Sequence, residues 1–230
     1  MLAARGGRSP GARRALSELC SDYWYPLYAF ARRRGLDANE AQDAVQGFFA
    51  HLLEKQALDH VDPARGRFRS FLLASFRNHM ADERARRTAL KRGGGETPLP
   101  IDVGDAEERY AREPSHDLTP ERIFARRWAV TVLERALERL RRDYADSGRE
   151  TVFEALKPHL VGDRAAPPQA DTARELGLNV ITVRVAVHRL RRRYRQALID
   201  EISQTLGSEE DLGSEIDHLF AALERPERPL

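Results

Sequence analysis

The sequence predicts an all-α protein, with two small helical domains joined by a flexible acidic linker. Three observations carry that expectation. Apolar residues recur at steps of three and four along most of the chain. Glycine and proline gather with acidic residues between positions 93 and 120. A short helix, a glycine turn and an arginine-loaded helix follow one another between Ala170 and Gln196, the composition of a helix-turn-helix.

Composition narrows the class. A chain of 230 residues has room for one or two domains. No run approaches the ~18 apolar residues of a membrane span. The opening stretch MLAARGGRSPGARRALSE lacks the apolar centre of a signal peptide. The single cysteine, Cys20, cannot form an internal disulfide, which fits a reducing cytoplasm. The net charge of +2 conceals a segregation. Residues 1–92 hold 17 basic and 10 acidic side chains, and residues 93–120 hold 2 and 7. Residues 121–206 hold 17 and 12, and residues 207–230 hold 2 and 7. Basic blocks point to polyanion partners, and acidic segments to something that occupies or covers a basic surface.

In chain order, residues 1–11 read as a disordered basic lead, and residues 12–92 as a first helical domain. Its first helix, from Arg13 to about Arg34, has a stripe of Leu16, Leu19, Tyr23, Leu27 and Phe30. Pro26 is expected to kink or divide it. Gly35 supplies a C-cap, and Asp37 with Glu40 a capping box for a second helix, Ala38 to Lys55. That helix should bury Ala41, Ala44, Val45, Phe48, Leu52 and Leu53. Pro63 and Gly66 make residues 59–67 a loop, and a third helix from Phe68 to about Lys91 turns Phe68, Phe71, Leu72, Phe76 and Met80 inward. Residues 93–120 form the linker. Thr119, Pro120 and Glu121 then start a helix reaching about Tyr144, with a stripe of Val130, Leu133, Leu137, Leu140 and Tyr144, extended by Phe124 and Trp128. A further helix near 149–160 precedes the helix-turn-helix, and residues 121–206 make the second domain. The tail, 207–230, offers an amphipathic helix through Leu212, Ile216, Leu219, Phe220 and Leu223.

Asn179 is placed to cap the arginine-rich helix. Val180, Val183, Val187, Leu190, Tyr194 and Leu198 define its buried face. The opposite face carries Ile181, Thr182, Val185, His188, Arg189, Arg192 and Gln196, flanked by Arg184, Arg191 and Arg195. Such a helix suits the DNA major groove and its phosphates.

DAVQGFF at 43–49, FRSFLLASFRNHMADERARR at 68–87 and ELGLNVITVRVAVHRLRRR at 175–193 together resemble the sigma factors of bacterial RNA polymerase. Within them, the order and spacing are similar to the short, two-domain extracytoplasmic-function group. The resemblance implies a first domain that binds core polymerase and opens the −10 element, and a second that reads the −35 element. It assigns Asp43, Gln46 and Gln42 to core polymerase. It assigns Arg65, Arg67, Arg69, Arg77, Asn78, Arg86 and Arg87 to the melted −10 strand. It gives Thr182, Arg184, Val185, His188, Arg189 and Arg192 to the −35 duplex. The linker is expected to thread the RNA-exit path. Some relatives are held by an anti-sigma protein and others answer to a kinase, so a regulator of either kind is an expected partner. No cofactor, metal or catalytic residue is implied.

Five positions, in three places, depart from the family pattern. Gly47 stands where an acid is usual. Gln169 and Thr172 replace aromatic and aliphatic residues, which predicts looser packing of the helix before the turn. Val185 and Ala186 replace a polar or basic pair on the reading helix, which favours contact with thymine methyls or readout of DNA shape. Gly47 also leaves open a stand-alone DNA-binding regulator that does not bind core polymerase. A nucleic-acid enzyme fits poorly: the seven histidines lack zinc-ligand spacing, and Gly93–Gly95 follow Lys91-Arg92 rather than preceding a Lys-Ser/Thr pair. The charge of the acidic tail fits either a solvated tail or one that folds back on the reading helix as a brake.

Overall fold

A computed structural model describes residues 10–54, 67–89, 106–113, 118–160, 166–204, 206 and 212–224, with side chains from Cys20 in the first helix, through Leu52 in the second and through Ala85 in the third. The described elements are helices, and no strand occurs among the described residues. The helices are α1 Pro10–Arg33, α2 Ala38–Glu54, α3 Phe68–Ala89, α4 Ala106–Ala111, α5 Pro120–Asp146, α6 Glu150–Leu156, α7 Gln169–Glu175, α8 Val180–Ser203 and α9 Leu212–Leu223. A 3₁₀ turn, Lys157–His159, follows α6. The chain divides into two compact units. The first is Met1–Thr131 with Gln204–Leu230, and the second is Val132–Ser203.

The first unit is built on α1, α2 and α3. Helix α1 begins at Pro10, inside the stretch expected as a disordered lead, and runs through Pro26 without being divided. Gly35 then adopts φ +94°, and the Leu36 N–H reaches back to the Ala31 carbonyl at 3.3 Å. The capping box forms as expected: the Glu40 N–H donates to Asp37 Oδ1 at 2.8 Å, and the Asp37 N–H to Glu40 Oε2 at 3.1 Å. Aromatic rings fill the interior. Phe76 meets Phe30 at 6.1 Å and Phe48 at 5.2 Å between centroids, and Tyr23 stands edge-on to Phe68 at 5.6 Å. Each such buried ring stabilises the unit by about 1.5–3 kcal/mol relative to exposure. Phe49, absent from the expected stripe, is also fully buried, whereas Phe71 and Met80 are only half-buried.

From Tyr23 to Ala31 every residue of α1 is buried, rather than a single stripe. The back of the helix is covered by residues 106–113, part of the stretch expected as linker. The Tyr25 hydroxyl donates to Glu113 Oε1 at 2.8 Å, and the Tyr28 hydroxyl to Glu107 Oε2 at 2.5 Å. Burial pushes both phenols above their ordinary range, so they remain proton donors at neutral pH. Arg32 grips Glu107 with two nitrogens, Nε at 3.1 Å and Nη2 at 2.7 Å. That hydrogen bonding, reinforced by Tyr28, holds the Glu107 carboxyl below its ordinary range. Arg127 pairs with Glu113, and Arg109 lies 4.1 Å over the Tyr25 ring.

The second unit contains the later part of α5, then α6, the 3₁₀ turn, α7 and α8. The buried positions of α5 in this unit are Val132, Ala136, Leu140 and Tyr144, while Leu133 and Leu137 are half-buried. The contact line is thus turned from the expected stripe, because α8 meets α5 on its flank. Tyr194 donates to the Leu133 carbonyl at 3.3 Å, and Arg135 and Arg139 pair with Glu201 and Asp200 at 3.0 and 3.1 Å. Val183, Val187 and Leu190 seat α8 against α6 and α7, with Leu198 and Ile202 farther along.

Candidate nucleic-acid interface

The two units carry different candidate surfaces. On α2 of the first unit, Asp43 is exposed, and Gln42 and Gln46 are half-exposed. Asp43 and Gln46 are one helical step apart, opposite the buried Ala41, Val45, Phe48 and Phe49. This leaves a small acidic and amide-bearing surface on a rigid support. Gly47 is half-exposed beside it.

The basic candidates on and before α3 are not equivalent. Arg67 and Arg69 face Glu215 of α9, a carboxylate only 1% exposed. Arg67 Nε lies 2.8 Å from Glu215 Oε2, and Arg69 donates through Nε and Nη2 to both oxygens at 2.5 and 3.0 Å. Arg69 also rests 4.5 Å over the Trp128 ring. Arg77 is exposed and pairs with Glu121 at 2.8 Å, and Asn78 is exposed beside it. Arg86 and Arg87 fall within the helical span of α3, and Arg65 lies outside the described residues. Charge left the tail either solvated or laid on the reading helix; its helix α9 belongs to the first unit. Charge alone could not show that Glu215 of the tail meets Arg67 and Arg69.

In the second unit, α7 and α8 are joined by a turn in which Gly177 adopts φ +64°. The Leu178 N–H returns to the Ala173 carbonyl at 2.9 Å, closing the end of α7. Asn179 caps α8 as expected, its Oδ1 accepting from the Thr182 N–H at 2.7 Å and the Thr182 hydroxyl at 2.9 Å. Val183, Val187 and Leu190 bury one face, but Val180 is 38% exposed, so that face starts one step later than expected.

The outer face is open. Thr182, Arg184, Val185, His188, Arg189 and Arg192 are all exposed. Arg184, Arg189, Arg192 and Arg195 enter no ion pair with a described residue. Arg191 is exposed but committed: its Nε and Nη2 donate to the His159 carbonyl at 3.0 and 2.7 Å, bracing α8 against the 3₁₀ turn. Ile181 is 72% exposed and Val185 43%, and their four-residue spacing places both methyl-bearing side chains on one strip with His188 and Arg192. Ile181 had been placed on the outer face, but not among the readers. The signal that marks it is an isoleucine in the first turn, one step off the buried valines.

Thr172 reverses an expectation. It was expected to loosen α7, yet it is 1% exposed, and its hydroxyl lies 2.8 Å from Nε2 of the buried His159. The hydroxyl is therefore satisfied inside, where a hydrogen bond replaces apolar contact.

Among the described residues no cluster of three or more His, Cys, Asp or Glu is arranged to hold a metal. No helix among them is long and apolar enough to cross a membrane. Residues 21–89, covering about half of α1 and all of α2 and α3, match the family model Sigma-70 region 2. The matched stretch is 69 of the 230 residues and lies wholly in the first unit. No curated protein and no solved structure gives a match.

Proposed function

We propose that the chain is a dissociable, non-enzymatic subunit of RNA polymerase of the two-domain, extracytoplasmic-function kind, which selects promoters through two separate contacts. The observation that carries the proposal is the Sigma-70 region 2 match over residues 21–89. In this reading the exposed edge of α2, with Gln42, Asp43 and Gln46, docks on core polymerase. The non-template strand of the melted −10 element is taken by Arg65, Arg67, Arg69, Arg77, Asn78, Arg86 and Arg87, through phosphate contacts beside the α3 scaffold.

The second contact is the −35 duplex, read by a helix-turn-helix formed from α7 and α8. Four unpaired arginines, at 184, 189, 192 and 195, support it electrostatically. Thr182, Val185 and His188 face outward with them and supply the base contacts. The exposed methyls of Ile181 and Val185 favour apolar recognition of thymine over a code written only in hydrogen bonds. The acidic surface of α2 suits a basic protein partner, and the basic face of α8 suits DNA. The expected partners are therefore core polymerase and promoter DNA, with an anti-sigma protein or a kinase as candidate regulator.

The test combines purified core polymerase with a random-sequence promoter library and maps the RNA 5′ ends. The expected result is initiation downstream of one shared pair of sequence elements, lost when Asp43→Ala and Gln46→Ala are combined at unchanged helix content. Replacing Arg189 and Arg192 by Ala should weaken duplex binding and flatten the log–log salt slope by about 1.8, two phosphates' worth. Salt-dependent duplex binding without core association would refute the polymerase role and identify a stand-alone regulator.

A further inference from the structure

The acidic segment of α9 is seated on the residues that the proposed function assigns to single-stranded DNA. Three donors of Arg67 and Arg69 converge on the Glu215 carboxylate at 2.5 to 3.0 Å, and Arg67 Nη2 donates to Ser214 Oγ at 2.6 Å. Glu215 is almost fully enclosed, and Leu219, one turn along the same helix, is 0% exposed. Arg126 Nη1 donates to the Leu223 carbonyl at 3.1 Å and satisfies the far end of α9. The helix is thus held at its start by two cations, at its middle by an apolar side chain and at its end by a third arginine.

A carboxylate and a phosphodiester present the same feature to a guanidinium: two oxygens sharing one negative charge, matched by a two-pronged donor. Arg67 Nε and the Nε–Nη2 edge of Arg69 cannot serve both at once. We propose that α9 is a self-inhibitory segment, in which Glu215 occupies the Arg67–Arg69 anion site of the first unit and must leave before those arginines take a DNA phosphate. This inference rests on the reading of Arg67 and Arg69 as strand contacts.

The geometry also sets how the segment is released. Glu215 is buried between two cations, so its ionised side chain is tolerated only while they remain in place. A polyanion competing for the arginines removes that compensation and drives the carboxylate toward water. Leu219 then lacks the pairing that holds its helix down. Coupling between two ligands of one site is reciprocal: whatever displaces α9 binds more weakly because α9 is there.

The experiment uses the full-length chain and a fluorescent single-stranded oligonucleotide of mixed sequence, with anisotropy followed over a salt series. Glu215→Gln keeps the shape of the side chain and removes its charge. It is expected to tighten binding about tenfold and to steepen the salt slope by about 1.4, the two phosphates regained on a single strand. Adding Arg67→Ala and Arg69→Ala to that variant should abolish the gain. If Glu215→Gln changes nothing while the arginine substitutions still weaken binding, the strand contacts stand and the inhibition is overturned. If neither change has an effect, the assignment of Arg67 and Arg69 fails, and this inference fails with it. Hydrogen exchange on the unaltered protein gives an independent readout. Saturating oligonucleotide should strip protection from residues 212–223, and retained protection in the arginine-dependent complex would overturn the proposal.

Discussion

Replacing Thr172 by Val should cost the second unit about 2–4 kcal/mol, and the reason is local. The hydroxyl is enclosed in the unit's interior and lies 2.8 Å from His159 Nε2, itself buried. Valine keeps the volume and removes the hydrogen bond, a net loss of about 1 kcal/mol, and it also strands the ring nitrogen, which adds roughly 1–3 kcal/mol if no water reaches it. Both tryptophans, Trp24 and Trp128, fall in the first unit, so their fluorescence reports on that unit alone. Urea unfolding should therefore show the helical circular-dichroism signal of the second unit retreating while the tryptophan transition stays within about 0.5 kcal/mol. The decisive comparison is the cycle with His159→Leu. When both partners are apolar no polar atom is orphaned, and the double variant should be less damaged than the sum of the singles by about 1–2 kcal/mol. Additivity within about 0.5 kcal/mol would refute the hydrogen bond as the source of the loss.

Further outcomes concern other sites. Burial pushes the Cys20 thiol up to about 12, so alkylation of the native protein at pH 8 should be slower than in denaturant by at least about two orders of magnitude; comparable labelling rates would contradict it. The Glu138 carboxyl is held at about 2 by Arg141 and then Arg142. A depressed carboxylate favours the folded state above its unfolded value of 4.5 and loses that contribution as pH falls toward 2. Carbon-detected titration should find the low midpoint and 1 M salt should raise it, whereas a midpoint above 4 at low salt would refute the pairing. Asp37→Ala removes the cap of α2 and should lower the tryptophan-monitored stability of the first unit by about 1 kcal/mol; an unchanged midpoint would show that the box contributes nothing.

Local chemistry was the legible part of the sequence. Asp37, Thr119 and Asn179 each cap the helix they were expected to cap, because a cap needs only a side chain and the next three residues. The outward face of α8 followed from helical spacing, and the exposure of Thr182, Arg184, Val185, His188, Arg189 and Arg192 agrees with it. What escaped was everything that depends on distant partners. A periodic stripe identifies one contact face, but Tyr25 and Tyr28 are buried against Glu113 and Glu107, which lie 88 and 79 residues away. Val132 and Ala136 of α5 were passed over because apolar residues surround much of that helix, whereas Leu140 and Tyr144 of the expected stripe are buried. Arg191 looked like a flanking DNA contact until the His159 carbonyl appeared beneath it. Spacing places a guanidinium on a face but does not say which acceptor has already taken it.

The contact between Arg69 and Glu215 spans 146 residues of chain. Translation proceeds at roughly 5–20 residues per second, so on the ribosome Glu215 is made about 7–30 s after Arg69. Phe30, Phe48 and Phe76, which join α1, α2 and α3, are all made well before the tail. Every newly made molecule therefore passes through an interval in which Arg67 and Arg69 have been synthesised but their carboxylate has not. A nascent chain and a finished one differ at this site by one full negative charge.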